Sequence, residues 1–461
     1  MPRTYDVIII GAGPAGIFCA LELARKSSLK VLLIDKGEGI ENRKCPAPYG
    51  TCKRCKPCRN LSGWGGAGAF SDGKLTLSGD IGGWLGELVS PARLNGLIDQ
   101  VDRTYLEFGA PDQSFGDDED RVHEIASNAV KSDMVLIPAR VRHMGTEVCP
   151  RVLSAMYEEI HDKVEILMDT EVESIRVKDG VARGVTTTDG SRFDCRFLVV
   201  APGRSGADWF SRTARELGLS LNNNMVDIGV RVEAPAVIMA PLTDDLYEPK
   251  LIYYSKASED RVRTFCMNPY GEVIKEYYDE VLTVNGHSFA EKKTQNTNFA
   301  LLVDKKFTEP FREPIAYGKY IAWLANLLGD GIIVQRLGDL MAGRRSNPKR
   351  ISRGTVTPTL TDATPGDLSL VLPFRYLADI LEMLHALDDL APGVFSRNTL
   401  LYGVEVKFYS SRLKVSPGLE SEITNMFGAG DGVGITRGLV QASASGVLVA
   451  GSILKRDKKR Q

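Results

Sequence analysis

An α/β fold with a parallel sheet, interrupted by a second, mixed α+β domain, is predicted by three observations. Residues 5–35 read as strand, glycine turn, helix and strand. Residues 426–454 read as strand, glycine turn and long helix, and residues 222–398 between these ends lack that alternation. With 461 residues the chain has mass for two or three domains. The predicted division is a discontinuous first domain, residues 1–221 and 399–461, carrying a Cys-rich loop at 38–88, with a second domain, 222–398, inserted into it.

The elements follow in order. "YDVIII" (5–10) is a β-branched run, "GAGPAG" (11–16) a turn, "IFCALELARK" (17–26) a helix and "KVLLID" (30–35) a second strand. Helical spacing returns over 91–108 and 151–161. "VEILMDTEV" (164–172) is strand-like, and "ESIRVKDG" with "VARGVTTTDG" (173–190) reads as a hairpin, each arm ending in an Asp-Gly turn signal. "RFLVVAPGRSG" (196–206) is a buried strand that ends in a glycine turn. Thr146 in "RHMGTE" is expected to cap the helix that follows it. The terminal "LVQASASGVLVAGSIL" is rich in Ala, Ser and Gly, which suits a helix packed closely against a sheet.

Composition limits the function classes. The 57 basic and 59 acidic residues nearly cancel, so no whole-chain electrostatic footprint for nucleic acid is present and a small-molecule partner is expected. Eight cysteines in a chain of this length are not a disulfide framework, and no run of 18 apolar residues occurs. A cytoplasmic protein with reduced thiols and no membrane span is therefore expected. The 45 glycines, about one residue in ten against a usual ~7%, are clustered.

The first cluster has a mechanical reading. Gly11 permits the tight turn, Gly13 lets main chain approach a pyrophosphate, and Gly16 allows close helix–strand packing, while the helix start offers amides to phosphate. The strand before the motif and the helix after it are the context that a dinucleotide site requires. Asp35, at the end of the second strand, is placed to accept hydrogen bonds from ribose hydroxyls. The stretch 63–68 follows no strand, so a second nucleotide-binding fold, and with it a separate NAD(P)H domain, is not expected.

"GAGPAG", "VLLIDKG", "LVVAPGRSG" and "GAGDGVGITRGLVQASASG" together resemble the FAD domain of the glutathione-reductase-like flavoproteins, over residues 1–80, 145–215 and 400–461. The resemblance implies a Rossmann-like FAD-binding domain of glutathione-reductase type. It implies that Gly430 and Asp431 serve the ribityl chain or pyrophosphate, that Gly434, Ile435 and Thr436 lie beneath the isoalloxazine, and that Val172 holds adenine through its backbone. "LSGWGGAGAFSDGKLTLS", "FCMNPYGEVI", "NGHSF" and "GVEVKFYSSRL" are similar, more closely, to the bacterial family of uncharacterised FAD-dependent dehydrogenases. Asn268 departs from the second Cys expected after Cys266, which removes the ground for a Cys pair there. The cofactor set implied is Gly11, Gly13, Pro14, Ala15, Gly16, Asp35, Lys36, Arg43, Gly65, Gly66, Ala67, Ser71, Asp72, Val172, Ala201, Gly203, Gly430, Asp431, Gly434, Ile435 and Thr436.

Four cysteines, Cys45, Cys52, Cys55 and Cys58, fall within "CPAPYGTCKRCKPC", amid Lys44, Lys53, Arg54, Lys56 and Arg59. The spacing lets four thiolates converge on one centre, and the basic residues would offset their charge. An iron-sulfur cluster, a structural zinc and free or redox-active thiols all remain open. Cys19, Cys149 and Cys195 sit in apolar settings and read as core residues. His287 and Tyr270 are the acid candidates; Lys74 beside Asp72 reads equally as a solvated turn, and Glu405 with Lys407 as a pocket wall or an ordinary salt bridge.

The expected function is hydride transfer between flavin N5 and a small organic substrate, with ene-reduction of geranylgeranyl-reductase type as the nearest concrete variant. Two alternatives belong to other classes: a flavin plus iron-sulfur electron-transfer protein, and a flavin-dependent RNA-modifying protein. The substrate and the electron donor or acceptor stay open.

Overall fold

The computed structural model describes residues 3–46, 53–222, 225–278, 280–289, 292–305, 307, 311 and 313–459. It divides into two compact units, residues 1–112, 142–224 and 410–461 forming the first and 113–141 with 225–409 the second.

The first unit is built on the apolar run at the start of the chain. Strand Arg3–Ile10 lies mid-sheet, with Val7, Ile8 and Ile9 wholly buried, because a strand covered on both faces carries apolar residues without alternation. It pairs in parallel with Val31–Ile34 on one side and Arg192–Val200 on the other. Val164–Leu167 continues the parallel set beyond Val31–Ile34, and Met426–Gly428 joins Arg192–Val200 in parallel. Val172–Lys178, Val181–Thr187 and Arg192–Val200 form an antiparallel meander, so the predicted hairpin is present. Helix Pro14–Lys26 follows the glycine turn, and helix Leu439–Lys458 closes the chain.

The small residues of that last helix serve helix–helix contact rather than the sheet contact expected of them. A Cβ at Gly446 would stand 2.0 Å from the carbonyl oxygen of Ala15, so the two helices touch backbone to backbone. Cys19, Cys149 and Cys195 are buried as expected, and burial pushes the thiols of Cys149 and Cys195 up to about 12. Thr146 does not cap its helix. The cap position of Cys149–Ile160 is Val148, with no side-chain bond, and the Thr146 hydroxyl donates to the Ser71 carbonyl at 3.2 Å.

The second unit holds an eight-stranded sheet in the order Thr364–Pro365, Ile333–Arg336, Leu400–Phe408, Val226–Pro235, Asn296–Lys305, Arg261–Asn268, Lys250–Tyr254, Met134–Ile137. All pairs are antiparallel except the first. Two segments thus fall outside the expected division. Residues 113–141 leave the first domain because Met134–Ile137 forms the sheet edge against Lys250–Tyr254. Residues 399–409 leave it because Leu400–Phe408 sits inside the sheet between Val226–Pro235 and Ile333–Arg336. Among the described residues no helix is long and apolar enough to cross a membrane.

Candidate cofactor site

Within the first unit the four glycine clusters converge. Gly11 has φ +104°, and a Cβ on it would lie 2.0 Å from the Ala201 carbonyl oxygen, so turn 11–16 and the end of strand Arg192–Val200 meet through main chain. The Gly65 N–H donates to the Ala12 carbonyl at 2.7 Å, and Gly66 sits 3.0 Å, measured from its ideal Cβ, from Gly13 Cα. On the same measure Gly432 lies 2.4 Å from the Gly203 carbonyl oxygen and Gly430 3.1 Å from Ala15 Cβ. Residues scattered from 11 to 434 in sequence therefore share one end of one sheet.

Main chain in these turns is open to a ligand's approach. A Cβ at Gly13, Gly203 or Gly438 would meet nothing within 4 Å, so main chain at all three borders open space. Gly13 and Gly438 are also the cap positions of helices Pro14–Lys26 and Leu439–Lys458, and neither helix has a side-chain cap. Uncapped helix starts concentrate unpaired amides and positive dipole ends, the arrangement that holds pyrophosphate and stabilises negative charge on a flavin.

Asp35 is bound more fully than a ribose ligand needs. Its Oδ2 accepts the Ala12 N–H and its Oδ1 accepts those of Gly37 and Gly63, each at 2.8 Å. One carboxylate thus ties the first glycine turn, the end of the second strand and the start of the second glycine cluster, leaving one lone pair on Oδ2 for a ligand. Asp35→Asn removes one acceptor oxygen and turns an amide toward donors; each buried N–H left unpaired costs about 1–3 kcal/mol. Thermal melts of the variant are expected to fall with and without added FAD, and unchanged melts would contradict the tie.

Arg43 also works on the protein itself. Its guanidinium is buried and donates to the carbonyls of Arg59, Asn60, Trp64 and Gly66, at 2.5 to 3.1 Å, and stacks 4.9 Å from the Phe70 ring centre. Burial pulls this group down to about 10, against the pull of Asp35, Cys58 and Glu38. Lys36 Nζ donates to the Ser205 carbonyl at 3.0 Å. The Ser71 hydroxyl bonds the Gly68 carbonyl and the Gly73 N–H, both in its own loop. Lys74 is not solvated: its ammonium pairs with Asp72 at 2.9 Å, and both side chains are largely buried. Val172 opens strand Val172–Lys178, and Ala201 stands beneath Gly11.

Asp431 is the charged group at the centre of the late glycine turn. It accepts the Thr436 hydroxyl at 2.6 Å. Burial raises its carboxyl above the usual range, while Thr436, Arg204, the Gly438 N–H and Arg437 pull it back. Gly434, with φ +74°, lies within 2.7 Å, from its ideal Cβ, of the Ser410 and Ser411 carbonyls, and Ile435 is buried and accepts the Trp84 N–H. Arg437 stacks on Trp84 at 3.8 Å. Arg204 and Arg437 were not among the predicted site residues; their signal is position, each directly after or within a glycine turn, in "PGRSG" and "ITRG".

The remaining candidates stand elsewhere. Tyr270 and His287 belong to the second unit. Tyr270 has φ +52°, carries the Lys293 ammonium 5.0 Å from its ring centre, and lines a cavity of about 770 Å³ with Gln295, Thr355 and Thr357. His287 ends strand Val281–His287, with its ring 5.0 Å from that of Phe289, and does not line that cavity. Lys407 pairs with Glu405 at 3.1 Å and with Glu276 at 3.2 Å, which is the salt-bridge reading. Of the cysteine cluster, Cys45, Cys55 and Cys58 are half-buried and Cys52 lies outside the described residues. Among the described residues no three His, Cys, Asp or Glu side chains gather as a metal site would require, so neither the iron-sulfur nor the zinc reading gains support.

Comparison with known proteins bears on both units. Residues 5–83 match the family described as pyridine nucleotide-disulphide oxidoreductase, and residues 227–408 match that described as FAD-dependent protein, C-terminal domain-like. No curated protein matches the chain. Similar solved structures include a geranylgeranyl bacteriochlorophyll reductase-like protein from Thermoplasma acidophilum, 12% identical, covering 100% of this chain and 80% of that one, with a TM-score of 0.44. L-proline dehydrogenase from P. horikoshii is 12% identical over 99% and 95% of the two chains, with a TM-score of 0.42. Glycine oxidase from Geobacillus kaustophilus is 15% identical over 98% and 95%, with a TM-score of 0.38.

Proposed function

We propose that this chain, an FAD-dependent oxidoreductase, moves a hydride between flavin N5 and a small organic substrate, with the cofactor held as in the glutathione-reductase type. FAD, when bound, supplies the hydride donor or acceptor. The observation that carries the reading is the meeting of four glycine clusters in the first unit, with two helix starts, at Gly13 and Gly438, that lack side-chain caps and whose main chain borders open space.

In this reading Gly11, Gly13, Pro14, Ala15 and Gly16 hold the pyrophosphate, and the free lone pair of Asp35 takes one ribose hydroxyl. Gly430 and Asp431 hold the ribityl chain or pyrophosphate. Gly434, Ile435 and Thr436, in the turn before the last helix, lie beneath the isoalloxazine, where the start of helix Leu439–Lys458 would stabilise negative charge at the pyrimidine edge. Gly65, Gly66, Ala67, Ser71 and Asp72 line the site through a loop that Arg43 and Asp35 keep in shape. Tyr270, on the wall of the second unit's cavity, and His287 are the proton donors or acceptors to be tried. Reduction of an activated C=C bond and oxidation of a C–H or C–N bond both fall within this chemistry.

The absorption spectrum of the purified full chain tests the reading. Flavin bands that bleach with dithionite, and release of FAD on denaturation, are expected; a chain that binds no flavin even with FAD added would sink it. Asp431 gives a second test with a worked sign. A carboxyl held higher in the folded than in the unfolded state costs stability when ionised; that cost is absent below the unfolded value near ~3.9 and grows as pH rises above it. Asp431→Asn should therefore leave the flavin-free chain as stable or more stable at neutral pH while lowering FAD retention. Equal FAD retention would show that Asp431 does not serve the cofactor.

A further inference from the structure

Helix Pro314–Gly329, in the second unit, has its large residues on the outside. Its buried face is made of Gly318, Ile321, Ala322, Ala325 and Gly329. A Cβ at Gly318 would come within 3.0 Å of Val406, Phe408 and Val226 side chains, so the helix lies flush on the strands beneath it. The opposite face is apolar as well. Tyr320, Trp323, Leu327 and Leu328 are 72%, 55%, 62% and 48% exposed, at positions i, i+3, i+7 and i+8, which form one stripe. A helix apolar on both faces is normally covered on both, and a contiguous exposed stripe of this kind marks an interaction surface.

Charge and area indicate what covers it. Lys319 is the one charged residue in the helix, and its ammonium sits 5.3 Å from the Tyr278 ring centre, so two copies of the stripe can meet without burying like charges. Glu313 and Asp330, at the two ends, are exposed. Their charge disfavours anionic lipid, whose amphipathic binders place Lys and Arg beside the apolar face. At ~150–250 Å² for a whole aromatic side chain, the four exposed residues offer on the order of 500 Å² per copy. Two copies then bury about 1,000 Å², the size at which specific interfaces begin. Helices crossing near −50° at their midpoints splay their ends apart, which keeps Glu313 and Asp330 in water.

We propose that the chain forms a two-fold homodimer in which helix Pro314–Gly329 of one copy crosses its equivalent through Tyr320, Trp323, Leu327 and Leu328. A two-fold contact uses the same patch on both subunits, and this patch is uncharged and self-compatible. Light scattering of the full-length, flavin-loaded chain measures the outcome at micromolar concentration. The expected mass is twice the chain's 50.5 kDa. Trp323→Glu and Leu327→Glu should each halve it, with circular dichroism and flavin occupancy unchanged, while Val130→Glu, on the exposed face of another helix, should leave it doubled. A monomeric wild-type chain overturns the proposal, as does a dimer that survives both Glu substitutions. A monomer whose tryptophan emission shifts to the blue with phosphatidylglycerol vesicles assigns the stripe to lipid, and overturns it too.

Discussion

Gly11→Ala is expected to destroy both cofactor binding and the stability of the first unit, whereas Gly13→Ala should destroy only the former. The two positions are two residues apart in one turn, yet their surroundings differ completely. At Gly11 the backbone has φ +104° and a methyl group would stand 2.0 Å from the Ala201 carbonyl oxygen, a main-chain atom that cannot swing away. Left-handed strain and a backbone clash together place the cost at about 4 kcal/mol or more. At Gly13 the backbone is extended, with φ −81°, and a methyl group would meet nothing within 4 Å of protein. The flavin-free Gly13→Ala chain should melt like the parent. Its methyl would instead occupy the space through which a pyrophosphate approaches the first amides of helix Pro14–Lys26. Melting curves with and without FAD, read beside bound flavin per chain, separate the two effects. If Gly13→Ala retained FAD fully, the pyrophosphate assignment would be wrong.

The second large effect is expected at Arg231 and Glu405. Both side chains are wholly buried, and they form a two-pronged pair, Nε to Oε2 at 2.7 Å and Nη2 to Oε1 at 2.8 Å. Arg231 Nη1 further donates to the Cys266 carbonyl and to Asn298 Oδ1, and Nη2 to Asn285 Oδ1. Burial would lower the guanidinium, but Glu405, with a smaller contribution from Cys266, holds it above its ordinary value. The surroundings leave no slack: a Cβ at Gly286 would lie 2.1 to 2.3 Å from Asn298, Asn268 and Arg231 side-chain atoms, which is why a glycine stands there. Arg231→Met removes both prongs from Glu405, leaves it to the Lys407 ammonium at 3.1 Å, and should cost about 3 kcal/mol of the second unit's stability, while Glu405→Leu should cost about 3–5 kcal/mol by leaving the buried cation without a carboxylate. The double variant should recover part of that loss, because apolar residues in place of both partners leave no unpaired charge. Urea unfolding of the three variants decides it; additive losses would mean that the pair is not coupled.

These two sites also separate what could be read along the chain from what could not. The βαβ start, the meander, the late strand and helix, and the glycine clusters were legible, because β-branched runs, helical spacing and turn residues act over a few neighbours. So was the FAD chemistry, through motifs whose mechanics are local to a strand–turn–helix unit. The placement of 113–141 was not legible: strand Met134–Ile137 is four residues long and acquires its meaning from Lys250–Tyr254, more than a hundred positions away. Nor were the partners of Asp35 and Arg43. Their types pointed toward a ligand, while the fold commits three bonds of Asp35 to the main chain of Ala12, Gly37 and Gly63, and four of Arg43 to that of Arg59, Asn60, Trp64 and Gly66. The Arg231–Glu405 pair spans 174 positions. Local propensity can announce an element and a motif, but the pairing of buried charges and the burial of polar groups depend on contacts between distant segments, and these exist only once the sheet registers are set.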